Sequence, residues 1–274
     1  MKNSFYSYYL DSPFVTGRVF DIFDVSPGTE AKETALFFVH GGGWRAGARG
    51  NYHTLMEAFS EKGYITATTD YRLDAVNAFE QLSDIRESFD CFVQWLIERG
   101  RPCRISVHGS SAGAHLASLL CCALPGECGE DISRLKHPEI RPVSAILQAT
   151  PYDFLPYDWR IPRFWDSMQN IAGVPYARDP EVYEKLSLKN YIREDNPVLF
   201  FMEAEFEHLF PIDLNLEITR EHRKMNIPSQ WKVYHHMEHG FFFELTRQMQ
   251  IEAFEDSCKF LEGTLAAPLP PEQK

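Results

Sequence analysis

A mostly parallel α/β sheet with helices on both faces is the architecture the sequence predicts, and three observations predict it. Apolar runs rich in β-branched and aromatic residues recur along the chain, with helix-length segments between them. Several of these runs are near-continuously apolar, as strands are when both sheet faces are covered. The chain has 274 residues, which suits one large α/β domain.

In chain order, the first expected strand is 16–24 (TGRVFDIFD) and the second 35–40 (ALFFVH), which runs straight into three glycines. A helix over 51–62 leads to a strand at 64–69 (YITATT), and a long helix over 76–100 leads to one at 104–108 (RISVH). The apolar run behind it predicts a helix over 111–123, followed by a strand at 143–149 (VSAILQA). Strands at 198–203 (VLFFME) and 230–235 (QWKVYH) flank a helix over 211–226, and a last helix is expected over 241–262. Residues 150–195 break this rhythm. They are rich in Pro, Tyr and Trp and exceed the usual connection length, so they are expected to form a small cap inserted in a single 1–274 domain.

Composition excludes several partner classes. Asp and Glu number 39 against 27 Lys and Arg, a formal net charge of -12. Nucleic acid and anionic membranes need clustered basic residues, and no basic run is present. No apolar stretch reaches the length of a signal-peptide core or a membrane span, so the expected product is a soluble, cytoplasmic chain. The six cysteines include an adjacent pair and no CxxC, which reads as reduced structural thiols rather than disulfides or a zinc knuckle.

In such sheets ligands bind at the carboxyl ends of the strands. After 104–108 stands Gly109-Ser110-Ser111-Ala112-Gly113, a G-x-S-x-G between a strand and a helix. A serine on that sharp turn holds its hydroxyl clear of the sheet and faces a helix N-terminus. Ser111 is therefore the candidate nucleophile. Its base should lie after the last strand, where "HHMEHGFFFE" offers His239 before Gly240. His235 and His236 sit at the strand end instead, and no acid or thiol spacing supports reading the three histidines as metal ligands. The acid orienting the base should follow strand 198–203. Glu207 is the first choice there, with Glu205 and Asp213 as alternatives. The order serine, acid, histidine is that of one known triad arrangement.

The glycines of "FFVHGGGW" then have a use. Attack by a serine creates an oxyanion that needs backbone N–H donors at about 2.7–3.1 Å. Gly42, Gly43 and Ala112 are the expected donors, with Gly41 helping the turn. Trp44 is expected in the substrate pocket. The stretch lacks both phosphate-loop spacings, G-x-x-x-x-G-K-[ST] and G-x-G-x-x-G.

"HGGGW", "TDYRL", "GSSAG" and "EHGF", in this order, resemble the α/β-hydrolase superfamily over roughly residues 30–262. The nearest branch is the hormone-sensitive-lipase-like carboxylesterases, related to acetylesterases, feruloyl esterases and arylformamidases. The resemblance implies an α/β-hydrolase fold and the roles given above for Ser111, His239, Gly42, Gly43 and Ala112. Glu207 stands where that branch usually carries Asp, four residues before Pro211. Ser110 and Ala114 replace the Asp and the last Gly of its GDSAGG pattern. The implied activity is a serine carboxylesterase on short-chain or aromatic acyl esters, needing no metal or organic cofactor. The alternatives are an arylformamidase, whose aryl group the cap aromatics Trp159, Phe164 and Trp165 would suit, and a non-catalytic ligand-binding relative. The partner implied is a small-molecule ester, with assembly into a homo-oligomer left open.

Overall fold

Alternating side chains along one central strand show how the sheet is buried. The computed structural model describes residues 4–10, 18–25, 27–155 and 162–271. Among these, eight strands form one sheet: β1 (Phe5–Tyr9), β2 (Val19–Phe23), β3 (Thr34–Val39), β4 (Thr66–Thr69), β5 (Arg104–Ser110), β6 (Ser144–Gln148), β7 (Val198–Phe206) and β8 (Gln230–Glu238). In β3, Ala35, Phe37 and Val39 enter one apolar cluster, while Leu36 and Phe38 enter the other. Both faces are therefore dry, which is why this strand reads as an unbroken apolar run.

The spatial order is β1-β2-β4-β3-β5-β6-β7-β8. β1 and β2 run antiparallel to their neighbours, and the pairs from β4 to β8 are parallel. Helices α1 (His53–Glu61) and α7 (Gln248–Leu261) cover one face; α2 (Ala78–Glu98), α3 (Ala112–Cys122) and α6 (Ile212–Lys224) cover the other. α2 begins where Asn77 and Glu80 form a reciprocal capping box, with Asn77 Oδ1 accepting from the Phe79 and Glu80 N–H groups. Between β6 and β7 lie α4 (Pro162–Ala172), α5 (Pro180–Lys185) and a 3₁₀ turn over Leu188–Tyr191.

Two expectations need correction. β1 was not anticipated. It is an edge strand whose Phe5 and Tyr9 are exposed, while Tyr8 stacks on Phe20 at 5.0 Å. The helix expected over 241–262 begins only at Gln248. Its first residues bury Phe241 and Phe242 and find side-chain partners for their backbone instead of helical ones. The six cysteines are free thiols. No helix among the described residues is long and apolar enough to cross a membrane.

Candidate active site

Ser111 sits on a strained corner between β5 and α3, at φ 55° and ψ −122°. This conformation is rare for a side chain larger than glycine, and the surrounding packing must hold it. Two glycines make the corner feasible. A Cβ on Gly109 would lie 2.5 Å from the Gly113 carbonyl oxygen, and one on Gly113 would lie 2.2 Å from the Val39 carbonyl oxygen. The Ser111 N–H donates to the Gln148 carbonyl at 2.9 Å, tying the corner to β6.

The loop after β3 lies directly against this corner. A Cβ on Gly41 would stand 2.4 Å from the Ser110 carbonyl oxygen and 3.4 Å from Ser111 Cβ. Gly41 is thus required by close approach to the Ser111 corner as well as by the turn. Gly42, at φ +123°, accepts from the Arg45 and Ala46 N–H groups at 3.2 and 3.0 Å. Gly43 has φ +60° and open space where a Cβ would go. Among the described residues, the N–H groups of Gly42, Gly43 and Ala112 have no backbone acceptor outside the regular elements. Tyr71 anchors the loop from behind: it stacks on His40 at 4.3 Å and its hydroxyl donates to the His40 carbonyl at 2.8 Å.

Three side chains from distant parts of the chain meet here. His239 Nε2 lies 2.9 Å from Ser111 Oγ, and His239 Nδ1 lies 2.7 Å from Glu207 Oε2. Glu207 follows the end of β7, and its Oε1 accepts from the Leu209 and Phe210 N–H groups at 2.7 and 3.4 Å. Burial alone would raise its pKa. The hydrogen bond and charge of His239, with the two backbone donors, hold it below the usual carboxylate value.

The other acids go elsewhere. Period-two spacing puts Glu203, Glu205 and Glu207 on one side only while the strand lasts; β7 ends at Phe206, so Glu207 lies beyond it. Glu203 is buried and takes a 2.8 Å hydrogen bond from Asn215 Nδ2. Burial pushes its pKa well above the usual carboxylate range. Glu205 is exposed and accepts from the His236 N–H at 2.7 Å. Asp213 lies exposed in the first turn of α6. His235 and His236 are on the surface, and the described residues hold no metal-ligand cluster.

The aromatic surroundings differ from expectation. Trp44 is fully buried, with its indole N–H donating to His115 Nδ1 at 3.2 Å. The other His115 nitrogen contacts the Leu186 carbonyl at 2.7 Å, which fixes the proton on Nε2. Trp44 therefore offers no open face and supports the site from beneath. Its ring meets Phe164 at 5.7 Å, Phe164 meets Phe210 at 4.9 Å, and Phe210 meets His239 at 6.0 Å. Phe210, in the short "HLFP" stretch after Glu207, was not singled out in the sequence. Trp165 packs on Tyr176 and Tyr183 within the 150–195 segment itself. Trp159 lies outside the described residues.

Residues 20–220 match the BD-FAE family model. The chain belongs to that family. It is 26% identical over 189 residues to the probable carboxylic ester hydrolase LipM of Mycobacterium tuberculosis, covering 65% of this chain and 42% of that protein. It is 32% identical over 109 residues to gut esterase 1 of Caenorhabditis elegans, covering 35% of this chain and 19% of that protein. The chain thus spans less than half the length of these curated relatives. Solved structures of Thermogutta terrifontis esterase 2 share the fold. The form phosphonylated by sarin superposes with a TM-score of 0.74 at 20% identity over 92% of both chains. The butyrate-bound form gives 0.71 at 20% identity over 92% of this chain and 91% of that one. The chain has the α/β-hydrolase fold.

Proposed function

We propose that this chain is a serine carboxylesterase acting on esters of short or aromatic acids. The observation that carries the reading is the continuous contact from Ser111 Oγ through His239 to Glu207, at 2.9 and 2.7 Å. His239 Nε2 takes the hydroxyl proton as Ser111 Oγ attacks the ester carbonyl. The oxyanion forms against the N–H groups of Ala112, Gly42 and Gly43, where the α3 N-terminus also favours negative charge. His239 then gives its proton to the departing alkoxide, leaving an acyl-serine. Water attacks that ester with His239 as base, and the acid leaves with Ser111 restored. Throughout, Glu207 keeps the Nδ1 proton in place and offsets the imidazolium charge.

The 150–195 segment acts as a cap in this reading. Phe164 from α4 and Phe210 bring an aromatic wall up to His239, which favours compact or flat acyl groups over long chains. The solved butyrate complex of a protein with this fold is consistent with a short acyl group. The same machinery can open an activated formamide, and the aromatic wall is the feature that favours such a second substrate.

The test is a panel of p-nitrophenyl esters from acetate to octanoate, with phenyl acetate and N-formylkynurenine alongside. The proposal expects kcat/KM to peak at acetate to butyrate. A preference for N-formylkynurenine would replace the ester assignment with the formamide one. Inactivity on every substrate would leave a non-catalytic role.

A further inference from the structure

We infer that Gln148 is a positioning residue that ties the His239 loop to the nucleophile corner; this rests on the triad reading above. Gln148 is the last residue of β6 and is fully buried. Its backbone carbonyl already receives the Ser111 N–H at 2.9 Å. Its side chain faces the segment just beyond His239. With the amide turned to match its neighbours, Nε2 donates to Ser110 Oγ at 2.9 Å, and Oε1 accepts from the Phe241 and Phe242 N–H groups at 3.0 and 2.9 Å. One side chain thus spans the residue before the nucleophile and two residues just after the base.

The need for such a tether follows from the local fold. Phe241 and Phe242 are buried, so their N–H groups have no water to turn to. α7 does not start until Gln248, so no helix supplies them with partners. Gln250 closes the other side of the loop: its Nε2 donates to the Phe241 carbonyl at 2.7 Å, and its Oε1 accepts from the Thr246 and Arg247 N–H groups. Gln250 braces the loop against α7. Among the described residues, the Gln148 side chain is the one that hydrogen-bonds both this loop and the residue before the serine, while the Phe242 ring packs on His108 of β5. Gly240, at φ 71°, gives the chain between His239 and these anchors its freedom to turn. Without Gln148 the 2.9 Å contact between His239 and Ser111 loses its hydrogen-bonded link to the nucleophile corner and rests on Glu207, Gln250 and ring packing.

The experiment compares the wild type with Gln148→Met and Gln148→Glu. Met keeps the length and removes both polar groups. Glu keeps oxygen acceptors for the two N–H groups. Amide hydrogen exchange at Phe241 and Phe242 is measured together with kcat and KM on p-nitrophenyl acetate. The wild-type amides should be protected. Gln148→Met should speed their exchange at least about 10-fold and cut kcat about 10- to 100-fold, as a loosened catalytic geometry does, with KM within about 3-fold. Gln148→Glu should return kcat to within about 5-fold of wild type. A role confined to stability predicts equal melting losses with kcat unchanged in the folded fraction, and that result overturns the inference. Unprotected wild-type amides overturn it even where Gln148→Met fails to fold. An active wild type whose kcat ignores Gln148→Met sinks this inference alone; an inactive wild type sinks the triad reading with it.

Discussion

Glu207 Oε2 lies 2.7 Å from His239 Nδ1, while Glu203, four residues earlier in the same chain segment, turns into the core toward Asn215. Two carboxyls of one type are thereby shifted in opposite directions. His239 and two backbone donors hold the Glu207 pKa below the usual carboxylate value, and burial pushes that of Glu203 well above it. Glu207→Gln should lower kcat by about 10²- to 10⁴-fold, because it removes the acceptor that sets the imidazole tautomer. Glu203→Gln replaces a buried carboxyl that does not touch His239 with an isosteric amide and should leave kcat within about 2-fold. Steady-state rates on one activated ester check both.

The three loop glycines should respond unequally. Gly42→Ala puts a Cβ 2.2 Å from the Ala46 carbonyl oxygen, and Gly41→Ala puts one 2.4 Å from the Ser110 carbonyl oxygen. Each forces the loop or the serine corner to shift, and kcat should fall at least about 100-fold. Gly43→Ala meets open space, retains its N–H and has only the left-handed φ of +60° to accommodate. It should cost about 1 kcal/mol of stability and less than about 10-fold in kcat. Equal losses at all three positions would contradict this assignment of contacts.

Phe164 should set acyl length. It bridges Trp44 and Phe210, at 5.7 and 4.9 Å. Phe164→Ala opens that wall and should raise kcat/KM for octanoate relative to acetate by about 10-fold, the scale of a few methylenes of newly accommodated chain. A chain-length profile unchanged by the substitution would place the acyl pocket elsewhere.

Buried neutral histidines should make the fold acid-sensitive. Burial lowers His108 to about 3 and His115 to about 4 from an unfolded value of 6.5. Burial likewise lowers His222 to about 4. Below pH 6.5 the unfolded chain binds protons the folded chain refuses, so stability is full above that pH and falls as the pH drops toward the folded values. His108 is the cleanest case. It lies between Phe38 and Phe242, and neither ring nitrogen has a partner among the described residues. His108→Leu should remove about 1 kcal/mol per pH unit of that slope between pH 6 and 4, read from denaturant midpoints. An unchanged slope would mean that His108 is hydrated or charged in the folded protein.

The strands and the strained serine corner were legible because their signals are local. Strand β3 alternates between two cores, so every position from Ala35 to Val39 is apolar and the run stands out. Ser111 is framed by Gly109 and Gly113, which the close backbone contacts at the corner require. Its place beyond the strand set Glu207 ahead of Glu205 and Asp213, but its contact with His239 joins residues 32 apart in the chain, which spacing does not announce. β1 was invisible because an edge strand buries only part of its surface. The late start of α7 was hidden because Gln148, nearly a hundred residues away in the chain, supplies the partners that a helix would otherwise provide. Trp44 was expected in the pocket, but its donor bond to His115, 71 residues on, holds it buried.

The most direct measurement is the mass of Ser111 after exposure to a fluorophosphonate, paired with the initial rate on p-nitrophenyl acetate for the wild type and Ser111→Ala. Circular dichroism confirms that both fold. The account predicts a single phosphonyl adduct on Ser111, abolished in the variant, and an esterase rate that falls by several orders of magnitude with it. Equal rates in the two proteins, or an adduct on another residue, would contradict the account at its centre.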